Sequence, residues 1–137
     1  MNEEYIKVLK VNPMEHPRVV VIPNNVTTLN TIVSTGSEYQ CRAEALLIAP
    51  YVGVIRAADG ILFELEGNRK VKDEIVAGTF LVVGYDEHGY IASLPDKHIS
   101  KYKERFWNIE NYTYIETLKS HWDKFEKELN LMEEEAV

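Results

Sequence analysis

Ile-Val-Ala-Gly-Thr-Phe-Leu-Val-Val-Gly-Tyr, residues 75–85, carries no charge and is bounded by Glu74 and Asp86. Val, Ile, Phe, Thr and Tyr suit a pleated, packed surface. An apolar run this short, holding Gly78 and Gly84, reads as a buried strand rather than a helix. It lacks polar alternation, so both of its faces are covered and it belongs in the middle of a sheet.

The flanking sequence supplies elements to bury it. Residues 5–11 alternate apolar side chains with Lys7 and Lys10, and residues 18–22 form a second short strand. Asn12-Pro13 and His16-Pro17 lie between them, so the pair reads as a hairpin with a loose loop. Asn24-Asn25 caps a helix whose apolar face is Val26, Leu29, Ile32 and Val33, with Gly36 just past its end. That helix is expected to cover one face of the central strand. Residues 39–48 are ambiguous between helix and strand, and Pro50 tips the choice to strand. Residues 51–56 and 61–65 flank Asp59-Gly60, a strong short-range hairpin signal. Residues 66–74 read as a charged loop. Asp86-Glu87-His88-Gly89 is a turn, and residues 90–92 return as a short strand. Ser93-Leu94-Pro95-Asp96 has the spacing of a helix start, with Ser93 as cap. Leu94, Ile99, Tyr102 and Phe106 form the apolar face of that helix.

Runs of strands with helices at the edges indicate an α+β fold. The expected form is one small domain, mainly an antiparallel sheet with short helices on it. Residues 1–107 form the body, and residues 108–137 form a long amphipathic helical extension resting at least partly on it. At 137 residues, 45% apolar and 27% charged, the chain has the composition of a globular domain. A single cysteine, Cys41, leaves no internal disulfide and fits a reducing compartment. The opening Met-Asn-Glu-Glu lacks the pattern of a signal peptide, and no apolar run approaches a membrane span. The expectation is a soluble, cytosolic protein.

The net charge of −7 is uneven. Residues 1–107 hold 14 acidic against 12 basic side chains, and residues 108–137 hold 8 against 3. Direct nucleic-acid binding needs a basic footprint, and the chain has none. The acidic tail suits a basic protein partner, or serves solubility alone.

Several of these residues together carry a resemblance. Ile6-Lys7-Val8-Leu9 and Pro13 open it. Asn68-Arg69 precedes Ile75 and Ala77-Gly78-Thr79-Phe80. Ser93-Leu94-Pro95-Asp96 and Tyr102-Lys103-Glu104-Arg105-Phe106 follow. Over roughly residues 5–107 the chain resembles the small family known as domain of unknown function 3846. Its members sit largely in phages, plasmids and other mobile elements of Gram-positive gut bacteria. The resemblance brings no activity and no catalytic residues. The Leu-Pro usual before Asn-Arg is here Glu66-Gly67, and the helix after residue 112 lies outside the family pattern.

No catalytic, cofactor or metal set stands out. His16, His88, His98 and His121 are dispersed, and Cys41 stands alone, so no zinc site is expected. Gly78 and Gly84 lie inside a strand rather than in a phosphate-binding loop. Asn68 and Arg69 form the best polar pair. In a loop, Arg69 would present a five-donor fork to a carboxylate or phosphate. The favoured alternative has Arg69 tying its loop to a carboxylate of the same domain. Among the late aromatics, Phe106, Trp122 and Phe125 are assigned to core, while Trp107, Tyr112 and Tyr114 are candidate interface residues. Glu133, Glu134 and Glu135 are candidate contacts to a basic partner.

Ile115, Leu118, Trp122, Phe125, Leu129 and Met132 are spaced 3-4-3-4-3, an a/d seam. A parallel self-pair would set Glu128 against Glu133, which argues against it, and an antiparallel pair stays open. The seam through Phe125 is therefore expected to rest on the body, with a monomer favoured over a dimer through residues 113–132. The functional expectation is a non-enzymatic protein-binding accessory factor of a mobile element, acting on a host defence protein and needing no cofactor. The alternatives are a ligand-binding or enzymatic domain built on Asn68-Arg69, and a self-associating structural module.

Overall fold

The computed structural model describes residues 3–135. In chain order the elements are β1 (Tyr5–Val11), β2 (Arg18–Pro23), α1 (Val26–Val33), β3 (Ala43–Ala49), β4 (Val52–Ala57), β5 (Gly67–Val71), β6 (Glu74–Ala77), β7 (Phe80–Tyr85), β8 (Ile91–Ala92), α2 (Asp96–Arg105) and α3 (Tyr114–Glu135). The fold is α+β. An antiparallel sheet runs β2-β1-β7-β4-β3, with β8 paired to the end of β7, and β5 and β6 form a separate hairpin.

The central position expected for the uncharged run belongs to β7, and alternation along it builds two cores. Leu81 and Val83 join Ile6, Val8, Ile55 and the α1 residues Leu29 and Val33 on one face. Phe80 and Val82 join Leu9, Val54, Val76, the α2 residues Ile99 and Tyr102, and Phe106 just past the end of α2 on the other. A strand covered on both sides needs no polar face, which is why the run carries no charge. Asn25 caps α1 by accepting from the Thr28 amide at 2.8 Å.

Four expectations are corrected. Residues 75–85 are two strands, because the chain breaks at Gly78, whose φ is +89°. β6 leaves the main sheet there to pair with β5. Residues 66–74 are accordingly not a loop. Gly67–Val71 is a strand, turned back through Lys72-Asp73 with Lys72 at φ 55°. Asp59-Gly60 does not make a hairpin, because β4 already has β3 and β7 as neighbours. Residues 61–65 coil instead, with the Leu65 amide donating to Gly60 O at 3.0 Å. Ser93 does not cap α2. The flanking residue is Pro95, while the Ser93 hydroxyl accepts from the Lys7 amide and donates to Glu3.

At Gly78 a side chain meets two penalties. A β-branched residue at this φ costs about 1–2 kcal/mol, and its Cβ would stand 2.8 Å from Leu65 Cδ1 in a filled core. Gly78→Val is expected to lose ~2–4 kcal/mol in chemical denaturation. An unchanged unfolding midpoint would show that the break at residue 78 is not a fixed feature of the fold.

Candidate functional site

Asn68 and Arg69 lie on β5, and both are fully buried. Arg69 Nε and Nη2 donate to Phe106 O at 3.1 and 3.0 Å. Nη2 also donates to Glu15 O at 2.6 Å, and Nη1 to Asn12 O at 3.4 Å and Asn68 Oδ1 at 2.8 Å. A guanidinium has five N–H donors, and these contacts use them all. Asn68 Nδ2 donates to Val11 O and Gly78 O, both at 2.9 Å. Thr79 Oγ1 donates to Asn12 Oδ1 at 2.8 Å.

The Asn68–Arg69 pair is thus a staple. It joins the end of β1, the β1–β2 turn, the β6–β7 break and the end of α2. It satisfies backbone carbonyls that the core would otherwise strand. Arg69 does not ion-pair with a carboxylate of its own domain, as one reading of the sequence held. Burial holds its pKa below the ordinary value, and Glu110 draws it back up. A cleft of about 390 Å³ opens beside the staple, lined by Asn12, Glu15, Glu64, Glu66 and Thr79 among others. Arg69 is not among its lining residues, and its charged side chains are carboxylates, so it is unsuited to an anion.

A second polar cluster was not legible in the sequence. Arg56 on β4 meets Glu74 on β6 through two bonds, Nε to Oε2 at 2.7 Å and Nη2 to Oε1 at 3.0 Å. Both side chains are buried. Lys124 of α3 reaches Glu74 Oε1 at 3.4 Å. Burial alone would raise the Glu74 pKa. Hydrogen bonds and charge from Arg56, then His121 and Lys124, hold it below the ordinary value.

α3 opens with a capping box, in which the Glu116 amide donates to Thr113 Oγ1 at 3.1 Å and the Thr113 amide to Glu116 Oε1 at 2.9 Å. Its seat on the body is polar. Thr117 is fully buried against Gly67, and Ser120 Oγ accepts from the Ile75 amide at 3.0 Å. His121 Nε2 lies 2.9 Å from Ile75 O. Residues 117, 120, 121 and 124 recur at helical spacing, so the polar stripe faces inward.

The apolar seam therefore faces outward, against expectation. Ile115, Leu118, Trp122, Phe125, Leu129 and Met132 are between 39 and 68% exposed. Trp122 and Phe125, assigned to core from the sequence, are surface residues, whereas Phe106 is core as expected. The polar seat displaces the seam because β6 offers unpaired backbone groups at Ile75 and the Glu74 carboxylate. Apolar side chains would leave those without partners.

The remaining candidates do not converge. Trp107 is 46% exposed and stacks on His16 at 4.0 Å, with His16 Nδ1 2.7 Å from Trp107 O. Tyr112 is half-buried and donates to Glu110, and burial followed by that carboxylate pushes its pKa up to about 12. Tyr114 is exposed and donates to Ile61 O at 3.4 Å. Glu133 is exposed, and the side chains of Glu134 and Glu135 lie outside the described residues. Among the described residues, no helix is long and apolar enough to cross a membrane. Among them, too, no group of three or more His, Cys, Asp or Glu is placed to hold a metal ion.

A family model described as a domain of unknown function (DUF3846) matches residues 6–107, well over half of the chain, and the match ends before α3. No match to the chain was found among curated proteins or among solved structures.

Proposed function

The chain belongs to the DUF3846 family, and from that premise we propose that it is a non-enzymatic protein-binding accessory factor whose working surface is α3. The observation that supports this reading is the outward apolar seam, a continuous stripe holding a Trp and a Phe on a helix seated by its polar side. Large aromatic side chains in the middle of an apolar stripe are the typical anchors of a protein interface. The rival reading, a ligand site on Asn68-Arg69, loses its key residue, because Arg69 has no N–H left to offer. The setting proposed is the one the family resemblance implies, an accessory protein of a mobile element. Its target in that setting is a host defence protein. The exposed Glu126, Glu128 and Glu133 beside the seam favour a target that is basic there.

Purified protein and a Trp122→Gln/Phe125→Gln variant, immobilised side by side, are to be challenged with lysate of a bacterial host. The expected result is a host protein retained by the first and lost from the second at physiological salt. Equal retention by both, or no retention, would overturn the reading.

A further inference from the structure

The seam needs an occupant, and the charges beside it select one. We infer that α3 pairs antiparallel with α3 of a second copy of this chain. This rests on the reading of α3 as a protein-docking surface and sets a second copy on it in the free protein, which a host target would have to displace.

At 100° per residue, the seam is centred on the order of 120° around the helix from the seated face of Thr117, Ser120, His121 and Lys124. A second helix therefore meets it on a flank turned away from β6. Registers differ in what they bring together. Placing the two-fold axis midway between Trp122 and Phe125 layers Ile115 on Met132, Leu118 on Leu129 and Trp122 on Phe125, so every seam residue is covered. In antiparallel pairs the e positions flank e and the g positions flank g. The e positions here are Lys119, Glu126 and Glu133, and all three are exposed. Each Lys119 then lies between Glu126 and Glu133 of the second copy. Only Glu126 meets its own copy, at the axis.

The alternatives are worse. Sliding one heptad toward the C-terminus sets Glu126 and Glu133 against one another and leaves Ile115 and Leu118 uncovered. Sliding the other way sets Lys119 against Lys119 and uncovers Leu129 and Met132. A parallel pair sets Glu128 against Glu133 and gives Lys119 no carboxylate of the second copy, leaving it Asp123 of its own chain at 3.3 Å. Like charges at these positions are what choose orientation and register. The area suffices, since twelve seam side chains at roughly 100 Å² each remove on the order of 1,000 Å², the size that separates a specific interface from an incidental one.

The test uses the full chain. Sedimentation equilibrium at micromolar concentration should give a dimer, and Lys119→Glu should weaken it at least tenfold. Lys119→Glu combined with Glu126→Lys and Glu133→Lys should restore it. A mixture of a Leu118→Cys chain with a Leu129→Cys chain should form a disulfide between copies under mild oxidation, while neither chain alone should. A monomer at all concentrations would overturn the proposal, as would disulfide formation by the Leu118→Cys chain alone, the mark of a parallel pair. A monomer would leave the seam open to a foreign protein, so the reading of α3 as a docking surface would survive that result. Dimer and host protein would compete for the seam, so capture from lysate is to be scored with the protein diluted to monomer, and no capture there would sink the host-target reading alone.

Discussion

Arg69→Ala is expected to remove a large share of the protein's stability. The substitution strands Phe106 O, Glu15 O and Asn68 Oδ1 at once and leaves Asn12 O with only the Glu15 amide as donor. A buried acceptor left unpaired costs about 1–3 kcal/mol. Water entering the vacated space meets part of that deficit, so a total of ~3–5 kcal/mol is the reasonable figure. Domains of this size hold only about 5–15 kcal/mol in all. Arg69→Lys should recover little, because an ammonium cannot span acceptors arranged for a planar fork. Urea unfolding monitored by far-UV circular dichroism checks both variants. A stability loss below ~1 kcal/mol for Arg69→Ala would show that the staple is dispensable, and would free Arg69 for a site after all.

Glu74→Ala is expected to cost about as much, ~3–5 kcal/mol, because it leaves the buried Arg56 guanidinium without its bidentate partner. Glu44 remains near Arg56 at 3.3 Å, but its side chain is half exposed and compensates little. Glu74→Gln keeps the shape and one acceptor, so it should cost less. The pH dependence follows from the direction of the Glu74 shift. Its folded-state pKa lies below the ordinary 4.5. The contribution is therefore complete above that value and is lost as the pH falls through the lower, folded-state pKa. The thermal midpoint of the unsubstituted protein should fall on acidification below about pH 4.5, and that of Glu74→Gln should fall less steeply over the same window. Parallel slopes for the two proteins would show that Glu74 is not the carboxylate responsible. Lys124 loses its ion pair in both variants, so α3 should exchange amide hydrogens faster.

What was legible in the sequence was whatever burial on two faces writes into composition. Residues 80–85 could be nothing but a central strand, and the alternation in β1 placed it beside the core. Phe106 and Tyr102 announced their face of α2 by spacing alone. What was not legible depended on partners far apart in the chain. Residues 67–71 look like a charged loop because Arg69 is buried by virtue of carbonyls 37 and 54 residues away. Arg56 and Glu74 are 18 residues apart and read as unrelated surface charges. The break at Gly78 was hidden because a glycine inside an apolar run reads equally as close approach or as a turn. The orientation of α3 was read backwards for one physical reason. An apolar stripe is assumed to face the body, but this body offers backbone donors and a carboxylate there, and the helix meets them with Ser120, His121 and Lys124. The seam itself was visible from its spacing, and only its direction was not.

The placement of α3, polar side in and apolar side out, is open to direct measurement. Its most direct test is the thermal midpoint of a Leu118→Gln/Trp122→Gln/Phe125→Gln/Leu129→Gln variant beside the unsubstituted chain, at a concentration where both sediment as monomers. Substitutions on an exposed face each stay within ±0.5 kcal/mol, so four of them shift stability by no more than about 2 kcal/mol and the two midpoints should agree within about 8 °C. If the seam instead rests on the body, removing four buried apolar side chains at ~2–5 kcal/mol each would exceed the whole stability of the fold. The variant would then show no cooperative transition, and that result would place the seam against the body.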